Sequence, residues 1–393
     1  MKKYSYIIIL LFIFIGLFVS CDTGNSTQSK NSTKRIGVTL PITGDSPLDI
    51  TAHQALIKLA QDDINEYFKD NLANITFETN IKDTENSPIG IMNALESFER
   101  NNLQYVASAG ISQNLLEAEY SIKSFDGLMI HSTSTVPLLS NNDNLYRIIP
   151  NDIVNAIKIS EKINDDGIKK VIIFHRNDIW GTELTNKLNE NLSEFGIDVF
   201  SFNYEVRFLP HCLNDPILLM EQKCEALTEQ NSKDEIALVV LSFNEISNIL
   251  NIADKNKILL GINWYGSDGL ITNDFLVNDS KIAAIAEKVN LYCPAISERE
   301  SDIFQSIKST ITNQLGYTPR ANNFLIYDAI WLAALAMAEN IENPEHALEK
   351  AVSKGNFICG DIQFDENGDR KSAHYEYWHV VKFGEYYKWE KSN

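Results

Sequence analysis

Short apolar runs rich in β-branched residues alternate along most of the chain with longer segments of helical periodicity. Eight runs predict strands at residues 35–40, 75–81, 105–109, 128–131, 170–175, 198–204, 236–241 and 257–262. Between them, apolar residues recur every three or four positions. In residues 49–68, for example, one helical face carries Leu56, Leu59, Ala60, Ile64 and Phe68. Such alternation builds parallel sheets covered by helices on both faces, so the pattern predicts an α/β fold.

The strand and helix units fall into two halves of similar design, which divide near residues 146–151. The length of 393 residues corresponds to two or three domain-sized units. The sequence therefore predicts two doubly wound, Rossmann-like lobes. Sheets of this kind bind ligands at the carboxyl ends of their strands.

The first twenty residues, 1–20, predict a signal peptide rather than part of the fold. Lys2 and Lys3 precede an apolar run over residues 7–19. This run is shorter than the roughly 20 apolar residues that a membrane-spanning helix needs.

The end of this segment resembles a bacterial lipobox, in which a cysteine becomes diacylated and starts the mature chain. A small residue, Ser20, precedes Cys21, although Phe18 stands where leucine is usual. Residues 21–34 are rich in Ser, Thr, Asn and Gly and predict a flexible tether. We expect a lipoprotein anchored outside the cytoplasm, in the periplasm or at the cell surface, with a plain secretory signal or an uncleaved anchor as alternatives.

Composition excludes several classes of function. With 34 basic and 53 acidic residues, the formal charge is −19, which disfavours nucleic acids and anionic lipid surfaces as partners. A hydrophobic content of 44% argues against disorder over most of the chain.

Export would place the cysteines of the folded part of the chain, after the tether, in a compartment that permits disulfides. Cys212 and Cys224 enclose a short loop and are the favoured pair, whereas Cys293 with Cys359 is a weaker candidate. A zinc site that uses His211, Cys212 and Cys224 is an alternative to the disulfide, but in an exported protein a disulfide is favoured.

Motifs of common enzymes are missing from the sequence. It has no Gly-x-Ser-x-Gly elbow, no His-Glu-x-x-His, no phosphate-binding loop and no Gly-x-Gly-x-x-Gly after the first strand. The seven histidines are scattered rather than paired at the spacing of metal ligands. We therefore expect a binding protein that uses no cofactor and no metal.

Several short motifs stand in a characteristic order after the tether. They are IGVTLPITG at 36–44, YRIIPND at 146–152, GIKKV at 167–171, DIWG at 178–181, YGSDGL at 265–270, YDA at 327–329 and FDENGD at 364–369. In this order they resemble the type I periplasmic binding proteins of the leucine/isoleucine/valine-binding family.

The resemblance implies a clamp of two lobes joined by a hinge of three crossings. The first lobe would comprise residues 35–148 and 294–356, and the second residues 149–293 and 357–393. Such clamps close on an amino acid or a related small polar solute and deliver it to an ABC importer. A ligand-sensing receptor subunit, or an envelope protein that retains the fold, is the alternative.

The family's contacts to an amino acid can be transferred to the first lobe by position. Ser112 and Thr135 match residues that bind the ligand's carboxylate, and the carbonyl of Thr133 would accept from its ammonium group. Both loops precede helices, whose N-termini favour anions. Helix capping by Ser and Thr is the alternative role.

In the second lobe, Asp268 matches the acidic residue that pairs with the ammonium group, unless it only satisfies its own turn. Trp180 matches an aromatic residue that covers the ligand, with packing at the lobe edge as the alternative. Ser242 or Phe243 stands where a tyrosine is usual. His131 is a further departure, because small residues are more usual there.

Overall fold

The structure, a computed structural model, describes residues 32–71, 75–141, 143–207, 209–271, 274–297, 301–371 and 373–392. The predicted signal peptide and Cys21 lie outside the described residues. Residues 32–34, predicted to belong to the tether, instead begin the first strand, because Ser32 already pairs with Ile75 of the neighbouring strand.

The first lobe is built on a parallel five-stranded sheet of order β2-β1-β3-β4-β5. Its elements are β1 (Ser32–Leu40), α1 (Ile50–Asn71), β2 (Ile75–Asp83), α2 (Pro88–Arg100), β3 (Tyr105–Ser108), α3 (Ser112–Glu117), α4 (Glu119–Ser124), β4 (Leu128–His131) and β5 (Leu145–Arg147).

The second lobe contains a parallel four-stranded sheet of order β7-β6-β8-β9. Its elements are α5 (Asp152–Asp165), β6 (Lys170–Arg176), α6 (Ile179–Glu194), β7 (Asp198–Tyr204), α7 (Asn214–Thr228), β8 (Ile236–Leu241), α8 (Ile246–Ala253), β9 (Asn263–Gly266), α9 (Asp274–Asn278), α10 (Ser280–Lys288) and β10 (Cys293–Ile296).

The chain then returns to the first lobe and crosses once more to the second. The returning helices are α11 (Asp302–Leu315), α12 (Leu325–Ala338) and α13 (Pro344–Lys354). The antiparallel hairpin of β11 (Tyr375–Phe383) and β12 (Tyr386–Lys391) ends the chain, and β11 pairs with β10. The prediction of two α/β lobes is confirmed.

Seven of the eight predicted strands are present. The eighth, at 257–262, is wrong: Leu259–Gly261 is a 3₁₀ turn, and β9 follows it. The register of β9 against β8 begins with Asn263 opposite Ala237, which places the strand after the turn.

The face of α1 predicted from periodicity packs in the first-lobe core, where Leu56, Ala60 and Ile64 are fully buried. Helix α12 belongs to the same core. The segment Ala321–Ala338 is long and apolar enough to cross a membrane, but 67% of it is buried inside the protein. Its composition is therefore that of a core helix.

The return from the first lobe to the second occurs later than the predicted boundary at residue 357. Phe357, Ile358 and Ile362 lie in the first-lobe core, whereas Val380 lies in the second. Residues 357–371 of the described chain therefore continue the first lobe, because their apolar side chains fill its core rather than that of the second lobe.

The crossings are held side by side at the hinge. The backbone N–H of Arg147 donates to Gly368 and the N–H of Arg370 donates to Arg147, while Ser297 donates to His374. Gly368 has a φ of +76°, and a Cβ there would lie 2.6 Å from the carbonyl oxygen of Leu145. Glycine thus lets the FDENGD turn approach the first crossing.

The predicted pairing of Cys212 with Cys224 is wrong in the structure. Cys224 is a free thiol on the buried face of α7, in the second-lobe core. The Cys212 Sγ instead donates to the carbonyl oxygen of Glu205 at 2.7 Å. The weaker pairing is also not formed, because Cys293 and Cys359 pack with the cores of opposite lobes.

Candidate functional site

The loops at the carboxyl ends of the strands bring Thr135 of the first lobe and Asp268 and Trp180 of the second to a cleft between the lobes, around the start of α5. The first lobe supplies the segment after β3, where Ser112 begins α3, and the loop after β4, which contains Thr133 and Thr135. The second lobe supplies the start of α5 and the turn after β9, where Asp268 lies.

Asp152, the first residue of α5, is fully buried and contacts the first lobe directly. Its Oδ2 accepts from the Thr135 hydroxyl at 2.8 Å, and its backbone N–H donates to the Thr135 carbonyl at 2.8 Å. Its Oδ1 has no hydrogen-bond partner among the described residues. This acceptor is therefore available to a donor that enters the cleft.

Asp268 is held in a similar way from both lobes. Its Oδ1 accepts from Asn155 Nδ2 at 2.5 Å, and its Oδ2 accepts from Asn322 Nδ2 of the first lobe at 3.2 Å. Asn155 lies one helical turn after Asp152 on α5, and its own buried Oδ1 has no partner in the described part of the chain. The cleft thus contains a second unused acceptor.

Burial makes these carboxylates unusually hard to ionise. Loss of solvent raises the pKa of Asp152 from its ordinary 3.8 to about 8, and repulsion from Asp268 adds to the shift while Thr135 and Arg147 oppose it. Burial also raises the pKa of Asp268. A positive charge placed beside both groups would favour their ionised forms.

Tyr375 of β11 lies near the same two carboxylates. Burial raises the pKa of its phenol far above the ordinary value, and both Asp268 and Asp152 contribute to the shift. The final crossing therefore contributes an aromatic side chain near the two carboxylates.

Aromatic side chains form a wall of the second lobe. Trp180 stacks on Phe243 with ring centroids 4.5 Å apart. The Arg176 guanidinium lies 4.7 Å from the centre of the same Phe243 ring. Arg176 is neutralised by Asp178, at 2.7 Å, and by Glu245. Trp180 also lies close enough to Asp152 to oppose the rise in the pKa of that carboxyl. Phe243 therefore replaces the usual tyrosine by an apolar surface, and Trp180 lies beside the acceptors.

The hydroxyl groups of the first lobe are largely used within the protein. The Thr135 hydroxyl donates its proton to Asp152, so the Thr135 Oγ1 lone pairs remain to accept from a ligand. The Thr133 hydroxyl donates to the Gly110 carbonyl at 2.8 Å and accepts from the Gly110 N–H at 2.9 Å. Ser112 is buried at the first position of α3.

Direct contacts across the cleft show that the lobes are closed. Arg320, which precedes the 3₁₀ turn Ala321–Phe324 of the first lobe, donates to the Gly269 carbonyl at 3.3 Å and to Asn244 Oδ1 at 2.8 Å. Ile179 of the second lobe packs against an apolar cluster of the first. The structure therefore represents the closed clamp.

Four residues of this site, Asp152, Asn155, Asn322 and Tyr375, are not among those that the sequence predicts. Asp152 ends the YRIIPND motif, and its spacing of three from Asn155 placed both on one helical face. Asn322 and Tyr375 come from later segments of the chain, and no local pattern marks them.

The sequence profile described as "Receptor family ligand binding region" matches residues 53–382. A relative from Methanocaldococcus jannaschii, described as an uncharacterized protein, is 22% identical over 398 aligned positions, which cover 94% of this chain and 93% of the relative.

Solved structures share the fold. An ABC transporter substrate-binding protein of Desulfitobacterium hafniense in complex with Leu has a TM-score of 0.71 and 17% identity, with 91% of this chain and all of that chain covered. The branched-chain amino acid transporter substrate-binding protein of Streptococcus pneumoniae in complex with isoleucine has a TM-score of 0.69 and 18% identity, with coverages of 92% and 100%. A leucine-binding protein of Thermotoga maritima has a TM-score of 0.66 and 18% identity, with coverages of 91% and 97%.

Proposed function

Because this chain belongs to the family of receptor ligand-binding regions and has the type I periplasmic binding protein fold, we propose that it captures an amino acid or a related small amine by lobe closure. The family is one of binding proteins, not of enzymes. Closure uses noncovalent contacts alone, so no cofactor enters the mechanism.

The observation that carries the proposal is the pair of buried carboxylates, Asp152 and Asp268. An ammonium group has three N–H donors and one positive charge. Asp152 Oδ1 and Asn155 Oδ1, one helical turn apart on α5, are buried acceptors without a hydrogen-bond partner in the described part of the chain. An ammonium group bound there would satisfy these acceptors and offset the repulsion between the carboxylates.

Closure follows from the contacts that cross the cleft. Thr135 of the first lobe donates to Asp152, and Asn322 of the first lobe donates to Asp268. Each carboxylate gains this partner from the other lobe only when the lobes meet. A cation between them therefore stabilises the closed state more than the open state, and this difference shifts the population toward closure.

The aromatic wall suggests which part of the ligand is apolar. Trp180 and Phe243 stack beside the acceptor centre, and Phe243 has no hydroxyl group to offer. An aliphatic side chain fits such a surface. The structural neighbours in complex with Leu and with isoleucine make branched aliphatic amino acids the first compounds to test.

The proposed cellular role is delivery of this ligand to an ABC importer from a lipid-anchored position outside the cytoplasm. The names of the structural neighbours support the importer as partner. The sequence Ser20-Cys21 after a short apolar run supports the anchor.

Calorimetry with three related compounds tests ammonium recognition. L-leucine carries both charged groups, isoamylamine lacks its carboxylate and isocaproic acid lacks its amine. We expect L-leucine to bind, isoamylamine to retain part of the affinity and isocaproic acid to bind at least thirtyfold more weakly, because it leaves both carboxylates without a cation; this corresponds to about 2 kcal/mol. L-isoleucine and polar amino acids in a thermal-shift screen extend the set.

Variants separate the role of charge from that of shape. Asp268→Asn keeps the size of the side chain but removes its charge, and it should weaken amine binding at least tenfold. Asp165→Asn, on the exposed face of α5, is the control and should leave affinity unchanged. Equal binding of isocaproic acid and L-leucine, or unchanged affinity of Asp268→Asn for L-leucine, would contradict ammonium recognition.

Anchoring is tested on the mature N-terminal peptide. Mass spectrometry should find Cys21 diacylated, and Cys21→Ser should release the body or leave it unprocessed, because the acyl chains supply the membrane affinity. An unmodified mature terminus at another residue would refute the lipoprotein assignment while leaving the ligand proposal intact.

A further inference from the structure

A continuous chain of hydrogen bonds joins the ends of three strands of the first-lobe sheet to the two ligand loops. The Thr39 hydroxyl lies 2.7 Å from Ser108 Oγ, which lies 2.9 Å from His131 Nδ1. His131 Nε2 lies 3.2 Å from Thr133 Oγ1, which bonds both polar groups of the Gly110 backbone. We call these five residues the Thr39–Thr133 relay. Thr39, Ser108 and His131 are buried.

The direction of each bond follows from counting protons. Thr133 has one hydroxyl proton, and we assign it to the shorter of its two contacts, 2.8 Å to the Gly110 carbonyl rather than 3.2 Å to His131 Nε2. The contact between Thr133 and His131 therefore requires His131 Nε2 to be the donor. In a neutral imidazole the other nitrogen, Nδ1, must then accept, so Ser108 donates to it. Since the proton of Ser108 is used there, Ser108 accepts from Thr39.

From this geometry we propose that His131, as the neutral Nε2–H tautomer, is a positioning residue that fixes the loop of Gly110 and Ser112 against the loop of Thr133 and Thr135. A bond from the Ser134 hydroxyl to the Gly110 carbonyl, 2.9 Å long, supports the same junction. The relay sets the spacing of the two loops before a ligand arrives. The ligand role of these loops rests on the proposed function, whereas the relay itself does not.

The surroundings of His131 favour the neutral ring. Loss of solvent lowers its pKa to about 3, and the positive charge of Arg147 adds to the shift, as does the nearby His53, while the Gly110 backbone opposes it. Among these groups, Arg147 is itself paired with Asp369. A small residue at position 131 could not span from Ser108 to Thr133.

Nitrogen NMR of the histidine rings tests the assignment without any ligand. Long-range ¹H–¹⁵N spectra distinguish the two neutral tautomers and the imidazolium. We expect His131 to be protonated at Nε2 only, and to show no titration between about pH 5 and pH 8. His53 is an internal control with the opposite arrangement, because its Nδ1 faces the Asp49 carbonyl at 2.7 Å and must donate to it. An Nδ1–H or charged ring at His131 would overturn the proposal.

Hydrogen exchange tests the positioning role. In His131→Asn the amide of Gly110, which donates to Thr133, should exchange at least about tenfold faster than in the unaltered protein. The matched control is His53→Asn, which removes another fully buried histidine whose Nδ1 bonds the Asp49 carbonyl rather than a residue of the relay. Equal acceleration in both variants, or none at Gly110 in His131→Asn, would show that His131 only fills space.

Ser108→Ala provides a second variant should His131→Asn fail to fold. It removes the proton donor to Nδ1, so we expect the ¹⁵N resonance of Nδ1 to move downfield while Nε2 stays protonated, because Thr133 still accepts from Nε2–H. Ser132→Ala is its control, because the Ser132 hydroxyl is buried next to the relay but donates to the backbone carbonyl of Ser108. An unchanged Nδ1 resonance in Ser108→Ala would contradict the relay. None of these outcomes depends on which compound the cleft binds.

Discussion

Asp152 and Asp268 differ from most buried carboxylates of the described chain in what neutralises them. Asp369 faces Arg147 in a two-bond ion pair, and Asp328 accepts from two backbone N–H groups. Asp152 and Asp268 form no ion pair with a basic side chain of the described chain: Thr135 donates to Asp152, and Asn155 and Asn322 donate to Asp268 together with neighbouring backbone N–H groups. At the residue scale, the protein does not neutralise these two carboxylates itself, and the cleft therefore suits a ligand that carries a positive charge.

Asp152→Asn should make the empty protein more stable at high pH while weakening amine binding. The pKa of Asp152 is about 8 in the folded protein, compared with its ordinary 3.8. As pH rises from about 4 to about 8, the unfolded chain releases this proton and the folded protein retains it. Stability therefore falls across that window, by up to about 1.4 kcal/mol per pH unit for one group. Asn does not titrate, so the variant should lose this part of the slope.

Urea unfolding of the ligand-free protein at pH 5 and pH 8 measures the difference. Asp165→Asn on the same helix serves as the control and should keep the slope of the unaltered protein. If Asp152→Asn and the unaltered protein lose stability equally between the two pH values, Asp152 does not carry the buried proton.

At the scale of elements, the segment after α13 determines how the hinge is built. The FDENGD turn lies against β5, and Arg147 and Asp369 are almost completely buried there. Arg147 also donates to the Val136 carbonyl at 2.8 Å, next to Thr135. The same ion pair therefore joins the third crossing to the first and supports a ligand loop.

Asp369→Asn should destabilise the protein by about 3 kcal/mol, because it leaves the buried Arg147 charge without a counter-ion. Denaturant unfolding measures the change in the free energy of unfolding. Glu96→Gln is the comparison, since Glu96 pairs with Arg100 at 2.7 Å on α2 while both side chains are more than half exposed. That variant should change stability by less than about 0.5 kcal/mol. Similar losses in both would show that the hinge pair is not energetically special.

At the scale of the whole molecule, the lobes contact each other through protein groups as well as through any ligand. Arg320 and Asn322 of the first lobe donate to Gly269, Asn244 and Asp268 of the second. These bonds lie within a few residues of one another, so they form a clasp at one edge of the cleft. The clasp stabilises only the closed arrangement and thus raises its population without a ligand.

Replacing both Arg320 and Asn322 by alanine should shift the empty protein toward the open state. Small-angle X-ray scattering should then report a larger radius of gyration than for the unaltered protein. The affinity for an amine should also fall, because the closed state that binds it is less stable without the clasp. Arg35→Ala removes an exposed arginine that pairs with Glu78 within the first lobe and should change neither quantity. An unchanged radius in the double variant would mean that the clasp does not control closure.

Local patterns determined the architecture. Apolar periodicity located seven of eight strands and the buried face of α1, because burial on one side of a strand or helix repeats at a fixed interval along the chain. The order of short motifs indicated the family, and with it Thr135, Asp268 and Trp180, which the fold brings to one cleft. Signal peptide, anchor and the ligand contacts remain predictions of the sequence.

Tertiary structure alone decided which polar groups meet. Asn322 reaches Asp268, and Thr135 reaches Asp152, only because two separately folded lobes close on each other. The proximity of Cys212 and Cys224 in sequence suggested a bond that the fold does not form, since Cys224 faces the core of the second lobe. Spacing encodes which side of an element is buried, whereas the partner of a buried polar group depends on packing between elements that lie far apart in sequence.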